Sequence, residues 1–498
     1  MTSGELTDDV QALKKLVLEE HELRVQEQQR AELYKQRYEL LARRYFGQSS
    51  EKRKDSPDQQ LLFELPTEPE RPAPEPAAQT TPAKKKHGGG RQPIPPELQR
   101  QRIEYTLPED QRLCTCCGEV MQPFGEEVTE QREFKPASLF VLQHARIKYA
   151  CKQCQEKPVI APGPQKVIER ISAGPGLLAW NVVAKFEHHQ PLYRQEDIFK
   201  LHGDEIPRST QCSWLATVAE LLTPLYRRMT ACVLQSGKIH TDDTPIRVLA
   251  PGTGKTRTAR FWVYLGDDAQ PFTVFDYTPN RQRDGPQAFL RGFKGYLQAD
   301  AYTGYDRLYA GREIIEVACW AHTRRKFFEA RDTDARADAM LALIGELYAI
   351  EKFARPLNAV GRQQLRQAQT RPVLERIKVW LDARVFDTLP KSPLGQALTY
   401  ALNQWTALIR FVENGALEAD NNLGENALRP ICLGRKNYLF VGSDAGGKRA
   451  AILYSLVRSC ERHHVNPFEY LRDVLIRIST HPASQIDDLL PHRWKPAQ

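Results

Sequence analysis

The spacing of apolar residues changes several times along this chain, and each change marks a new element. Residues 8–46 contain neither Gly nor Pro and are rich in Leu, Glu, Gln, Lys and Arg, a composition that predicts a long helix. Val10, Leu13 and Val17, then Tyr34, Tyr38, Leu41 and Tyr45, follow a three-four spacing, but charges interrupt several core slots. A self-associating coiled coil and a helix packed on its own protein both remain open. Residues 47–83 turn polar and then Pro-rich, as a linker does. The stretch KKKHGGGRQPIPPEL, residues 84–98, carries Lys84, Lys85, Lys86 and Arg91; it reads equally as a basic arm for a DNA minor groove and as solvated linker.

Alternation between residues 112 and 156 predicts two strands inside a compact unit. Residues 172–235 return to helical spacing and predict several short helices. These suit either a helix-turn-helix DNA reader or a helical subdomain packed on its neighbour. From residue 238 the period drops to two. KIHTDDTPIRVL, ARFWVYLGD and PFTVFDYTP are successive strands, GPQAFLRGF is a short helix, a fourth strand ends at Asp300, and IIEVACWAH is a fifth, leading into the helix of TRRKFFEARD. Three sequential strands followed by alternating helix and strand predict a mixed sheet, antiparallel in its first three strands and parallel after. Residues 330–415 show helical periodicity without strand signals, an all-helical insertion, and the chain closes on further helices. The expected fold is multidomain α+β: an N-terminal long helix (1–46), linker and basic arm (47–98), small β module (99–165), helical subdomain (166–237), mixed α/β core (238–329 and 416–460) split by the insertion (330–415), and a C-terminal helical element (461–498).

Composition narrows the function. The 498 residues carry a net charge of +8, which permits a nucleic-acid partner without establishing one. No apolar run reaches the roughly 18–20 residues of a membrane span. No basic-then-apolar leader is visible at MTSGELTDDV, so the expectation is a cytoplasmic protein with no membrane partner. Of ten cysteines, Cys114 with Cys117 and Cys151 with Cys154 form two Cys-x-x-Cys pairs joined by the predicted strands. Two such pairs can close a tetrahedral structural zinc site; a redox pair or reduced surface thiols are the alternatives. Cys116 lies inside the first pair as a bystander, and Cys212, Cys232, Cys319, Cys432 and Cys460 sit among apolar neighbours, as buried thiols do.

HTDDTPIRVLAPGTGKT, residues 240–256, combines the marks of two chemistries, paired acids and a Gly-Lys-Thr ending. A nucleotide loop is excluded, because the required glycine five positions before Gly254 is Leu249 and the stretch joins two strands. It is a Gly-rich hairpin that leaves Lys255 and Arg257 free to touch a polyanion. The acids are the stronger signal. Asp242 in the first strand and Asp300 at the end of the fourth meet on one edge if those strands are neighbours. Glu425, on a helix that Asp420 or Asn422 can cap, supplies a third carboxylate.

At these residues the chain resembles the DDE transposases of the insertion sequence 66 family. The likeness is carried by LLARRYFGQSSEK, GGGRQPIPPELQRQRIEYTLPE, both Cys-x-x-Cys pairs, HTDDTPIRVL, LQADAYTGYDRLY, CWAHTRRKFFEA and NNLGENALRPICLGRKNYLFVGSDAGG. The resemblance implies a ribonuclease-H-like core, a helical insertion before the third acid, a zinc module and an acidic triad at Asp242, Asp300 and Glu425. It also implies two Mg2+ or Mn2+ ions, DNA as both element end and target, a homo-oligomer that joins two ends, and accessory proteins. Asp243 and Gly424 depart from the residues usual in the family. The expected chemistry is metal-assisted: hard cations about 3.5–4 Å apart activate the attacking oxygen and stabilise the leaving one. Asp242 would bridge the two ions, and Asp300 and Glu425 would hold one each. Asp243 would point to the opposite face of the strand. His240 and His322 are either supports of the site or packed histidines. Arg324, Arg325, Lys326, Arg435 and Lys436 are candidate phosphate contacts or solvated charges. A structure-selective nuclease and a catalytically silent DNA-binding regulator are the alternatives.

Overall fold

The structure, a computed structural model, describes residues 171–250 and 252–496 and the short stretches 24–25, 139–142, 148–149, 159–160 and 167–168. The basic arm (Lys84, Lys85, Lys86, Arg91), the linker, the four paired cysteines and all of the N-terminal helix except the helical Arg24 and Val25 lie outside the described residues. The chain divides into two units, residues 63–142 and the remainder. In the larger unit, Lys148–Tyr149 pairs antiparallel with Val159–Ile160, and Cys151 and Cys154 fall between these strands in sequence.

The main sheet of this unit has five strands: β1 (Lys238–Ala250), β2 (Lys255–Leu265), β3 (Thr273–Thr278), β4 (Gly295–Gln298) and β5 (Ile314–Val317). Their order is β3-β2-β1-β4-β5, with β1, β2 and β3 antiparallel and β4 and β5 parallel to β1. This is the mixed sheet that the strand pattern predicts. Ile246 and Val248 are buried while Pro245, Arg247 and Leu249 are exposed, so the outer half of β1 keeps one face in water. Gly252 and Gly254, with φ of 74° and 64°, make the turn into β2. Arg257 is not free for a polyanion as expected: it is paired with Asp444 and donates to the Pro279 carbonyl at 2.7 Å.

From residue 171 to the sheet, the described residues form four helices: α1 (Pro175–Phe186), α2 (Leu192–Leu201), α3 (Arg208–Leu221) and α4 (Thr223–Val233). A buried amide cluster ties three of them, with Asn181 Nδ2 donating to Gln195 Oε1 at 2.7 Å and Gln211 Oε1 at 3.1 Å. Tyr226 anchors α4 to the sheet through its hydroxyl, which donates to the Phe275 carbonyl at 2.9 Å. After β5 come α5 (Trp320–Arg331), α6 (Ala337–Ala354), α7 (Arg371–Val385) and α8 (Pro393–Asn403), which share one apolar core around Trp320, Phe327, Ile344, Leu374 and Leu398. The chain returns to the sheet with α9 (Asn422–Tyr438), α10 (Asp444–Arg462) and α11 (Pro467–Arg477).

The two sheet faces carry different cover. On one, Phe289 stacks on Tyr264 at 3.6 Å, and Tyr302 and Tyr305 pack on Trp262. On the other lie α9 and α10, with Tyr454 against Phe261. Both edges are closed. Ser455 and Ser459 on α10 accept the backbone N–H groups of Phe275 and Thr273 at 2.8 Å and 3.2 Å. At β5, Arg410 donates to the Glu316 carbonyl at 2.6 Å.

Arg366, between α6 and α7, fastens the helical segment to the returning chain. Its side chain is fully buried, forms a fork with Glu351 at 2.8 Å and 2.6 Å, and donates to the Phe411 and Leu417 carbonyls at 3.0 Å and 2.9 Å. Removing one partner of such a pair leaves the other charged and dry. Arg366→Ala is expected to cost about 3–5 kcal/mol, read as a lower chemical-denaturation midpoint, with Arg366→Met/Glu351→Leu recovering most of it.

Candidate active site: carboxylates at the end of the parallel strands

The parallel register pairs His240 with Gln298. Residues in register share a face, so two positions further on, Asp242 stands beside Asp300 on that same face. The fourth strand stops at Gln298 rather than at Asp300, which sits in the loop beyond it. Glu425 arrives from the other end of the chain. Gln298 Nε2 donates to the carbonyls of Glu418 and Asp420 at 2.6 Å and 2.8 Å, holding the segment that leads into α9. Asn421 then makes three contacts. Its Oδ1 accepts from His240 Nδ1 at 3.0 Å, its Nδ2 donates to the Thr241 carbonyl at 2.8 Å, and its backbone N–H reaches Cys319 Sγ at 3.2 Å. Glu425 follows in the first turn of α9.

The helix cap differs from the expectation. Asn421, rather than Asp420 or Asn422, occupies the cap position, and its side chain is spent on β1 instead of on the helix. Gly424 gains a reason here: a Cβ at that position would lie 2.9 Å from Asn421 Oδ1. The absent methyl group leaves room for the amide that fixes the helix start.

The electrostatics are those of crowded acids. Burial, and next the neighbouring Asp300 carboxylate, push Asp242 up to about 8, with Glu425 adding to the effect. Burial also raises Asp300, against the opposing pull of the Arg281 guanidinium. Arg281 lies 3.8 Å from Asp300 and 2.8 Å from Asp243, and it stacks over the Tyr302 ring. Asp243 is nearly fully buried and also pairs with Arg260 at 2.8 Å. It therefore belongs to an ion-pair network with Arg260 and Arg281, which Arg281 extends to Asp300.

The remaining candidates separate. His240 is fully buried and held down to about 3 by burial, a neutral ring that positions Asn421. His322 Nδ1 lies 3.6 Å from Glu425 Oε1, and burial holds this ring below the usual imidazole range. Arg324, Arg325 and Lys326 point three ways around α5: Arg324 is directed toward the Phe328 ring, Lys326 sits over Tyr400, and Arg325 is exposed. Arg435 donates to Thr244 Oγ1 and the Pro245 carbonyl at 2.7 Å and 2.6 Å, so it ties α9 to β1, while Lys436 is exposed. Cys212 is exposed instead of buried. Sequence reasoning passes over Asn421, Arg281 and Gln298. They are polar residues of ordinary type, and only the three-dimensional pairing marks them.

Asp300 and Glu425 both act electrostatically on Asp242, and Glu425 Oε1 is a buried atom with no hydrogen-bond partner among the described residues. An all-oxygen donor set of this kind fits a hard divalent cation such as Mg2+ or Mn2+.

The family described as Transposase IS66 family matches residues 170–449, and the IS66 C-terminal element matches residues 455–492. The zinc-finger binding domain of transposase IS66 matches residues 111–155, which include all four paired cysteines, and Transposase C of IS166 homeodomain matches residues 33–103. These matches define a transposase with DNA-binding and zinc-finger regions. The chain belongs to the IS66 transposase family. Among its relatives, Uncharacterized protein y4jD of Sinorhizobium fredii (strain NBRC 101917 / NGR234) is 33% identical over 413 residues, covering 80% of this chain and 81% of that protein. Uncharacterized protein y4hP of the same strain is 32% identical over 432 residues, covering 82% and 77%. No helix among the described residues is long and apolar enough to cross a membrane.

Two measurements test the site. Asn421→Ala leaves the His240 ring and the Thr241 carbonyl unpaired and is expected to cost about 1–3 kcal/mol of stability in denaturant unfolding. Asp242 binds its proton more tightly folded than unfolded. The stability it contributes is therefore full below its ordinary pKa of 3.8 and is lost as pH rises through about 8. In Mg2+-free buffer the wild-type melting temperature should fall across that window relative to Asp242→Asn; parallel curves would remove Asp242 from the buried, repelling cluster.

Proposed function

We propose that this chain is an active DDE-type transposase that cuts DNA at its element's ends and joins the freed strands to target DNA, on a ribonuclease-H-like core. The observation that carries the reading is the meeting of three acids from distant parts of the chain, with Asp242 held up to about 8 by burial and by its carboxylate neighbours. Asp242, Asp300 and Glu425 are the metal-holding catalytic residues. Bound Mg2+ or Mn2+ supplies Lewis acidity to the attacking and leaving oxygens of a phosphodiester.

The protein's own residues do the rest. Asp242, held protonated by burial and by its carboxylate neighbours, would release that proton to solvent if a cation took its place. Arg281 bridges Asp243 and Asp300 and opposes the rise that burial imposes on the Asp300 carboxyl. Asn421 fixes the start of α9 and thereby the approach of Glu425. Water attacks the element-end phosphodiester first, and the freed 3′-hydroxyl then attacks the target strand. No covalent protein intermediate is needed. Arg325 and Lys436, the exposed members of their clusters, contact phosphates without reading bases. Lys84, Lys85, Lys86 and Arg91 lie along DNA, and Cys114, Cys117, Cys151 and Cys154 hold a structural Zn2+. Joining two ends requires at least a homodimer.

The test is a cleavage and joining assay on element-end DNA with Mg2+, supplemented with the element's accessory proteins. Wild type is expected to cut and join, and Asp300→Ala to do neither. Cutting that persists in Asp300→Ala refutes the site assignment. Cutting without joined products would make the chain a structure-selective nuclease, and absence of cutting would make it a DNA-binding regulator.

A further inference from the structure

Beside the acidic cluster is a second set of donors with different chemistry. Cys319, His322 and Glu425 bring a sulfur, an imidazole nitrogen and a carboxylate oxygen within 4.8 Å of one another. Cys319 is the extended residue immediately before α5, and His322 lies in the first turn of that helix, a Cys-x-x-His spacing. Glu425 lies in the first turn of α9. The three thus close across the two ends of the helical segment, whose flanking residues Cys319 and Asn421 are 102 positions apart in the chain.

Two of the three donors are unsatisfied. His322 Nδ1 and Glu425 Oε1 are buried atoms without a hydrogen-bond partner among the described residues, although they face each other at 3.6 Å. Leaving two buried polar atoms unpaired in one spot is costly unless something else pairs them. The Cys319 sulfur accepts the backbone N–H of Asn421 and keeps further lone pairs. The side chains of His322 and Glu425 remain 25% and 27% exposed, so one side of the cluster opens to solvent. One sulfur, one nitrogen and one oxygen select a borderline-soft cation over Mg2+, and an open fourth position suits tetrahedral coordination.

We propose that Cys319, His322 and Glu425 form a transition-metal site of the Zn2+ class, which clips the start of α5 to the start of α9. Zinc bonds of about 2.0–2.3 Å require the donors to draw in by roughly an ångström. On binding, the Cys319 thiol releases its proton to solvent as the metal–sulfur bond forms, and nothing is oxidised or reduced. The site shares Glu425 with the acidic cluster but does not depend on that cluster holding Mg2+. Its occupancy draws Glu425 toward His322, so excess Zn2+ competes with use of the same carboxylate by Asp242 and Asp300.

The probe is Co2+, titrated into the metal-stripped full-length protein and followed by visible and near-ultraviolet absorption. The paired cysteines outside this site are present in every variant, so the readout is the difference between variants. Wild type is expected to bind one more equivalent than Cys319→Ser or His322→Gln, with an added sulfur-to-cobalt band absent from Cys319→Ser. Asp242→Asn/Asp300→Asn should keep both the equivalent and the band. Circular dichroism of each variant checks that it folds, and His322→Gln serves where Cys319→Ser does not. Identical stoichiometry and spectra in wild type and both single variants overturn the proposal. So does loss of the band in the double aspartate variant with retention in Cys319→Ser. Failure of the cleavage assay leaves this readout untouched, so the two readings fail separately.

Discussion

The Asn421 side chain is the contact on which the rest of the arrangement depends. One amide joins the first strand of the sheet, through His240 and Thr241, to the first turn of the helix that carries Glu425. Its backbone N–H adds the residue that begins α5. Three segments far apart in sequence are therefore fixed relative to one another by a single buried residue. Such a node is stiff because each alternative leaves a dry polar group unpaired, and the interior supplies no water to replace the lost bond.

That rigidity serves an unfavourable grouping of charge. Carboxylates brought together in a partly buried place repel one another, and Asp242 responds by holding its proton. Arg281 relieves part of the strain from one side through Asp300 and Asp243. A flexible scaffold would let the acids drift apart. The closely packed sheet, with Trp262 and Tyr264 under aromatic cover, does not. Crowded, desolvated acids held in place are a common mark of a functional site, because structure alone gains little from them.

Much of this was legible along the chain, for particular reasons. The alternation in KIHTDDTPIRVL and ARFWVYLGD marks strands because half of their side chains must face a core. Three strands without an intervening helix imply an antiparallel meander, and helices between the later strands imply parallel pairing. Placing Asp242 beside Asp300 needs only that fourth strand to lie next to the first. The approach of Glu425 was less legible, since it depends on Gln298 and Asn421 accepting and donating across more than a hundred residues. Basic residues were the least legible. Consecutive positions on a helix point about 100° apart, so Arg324, Arg325 and Lys326, adjacent in the sequence, face different directions, and of the three only Arg325 is exposed. Arg257 and Arg435 look free in sequence, yet each is held by a partner that the chain supplies from elsewhere.

The serines along α10 bear on how copies of this protein can meet. Ser455 and Ser459 are one helical turn apart, a rise of about 6 Å. Thr273 and Phe275 are two strand residues apart, about 6.7 Å. The two spacings nearly coincide, so a single helix can cap alternate amides of the border strand without distortion. At the far border, Arg410 occupies a carbonyl of β5. A second molecule seeking to extend the sheet finds these hydrogen-bonding positions already taken. Runaway fibre-like stacking is thereby discouraged, and any dimer has to be built from helical surfaces or from segments outside the sheet.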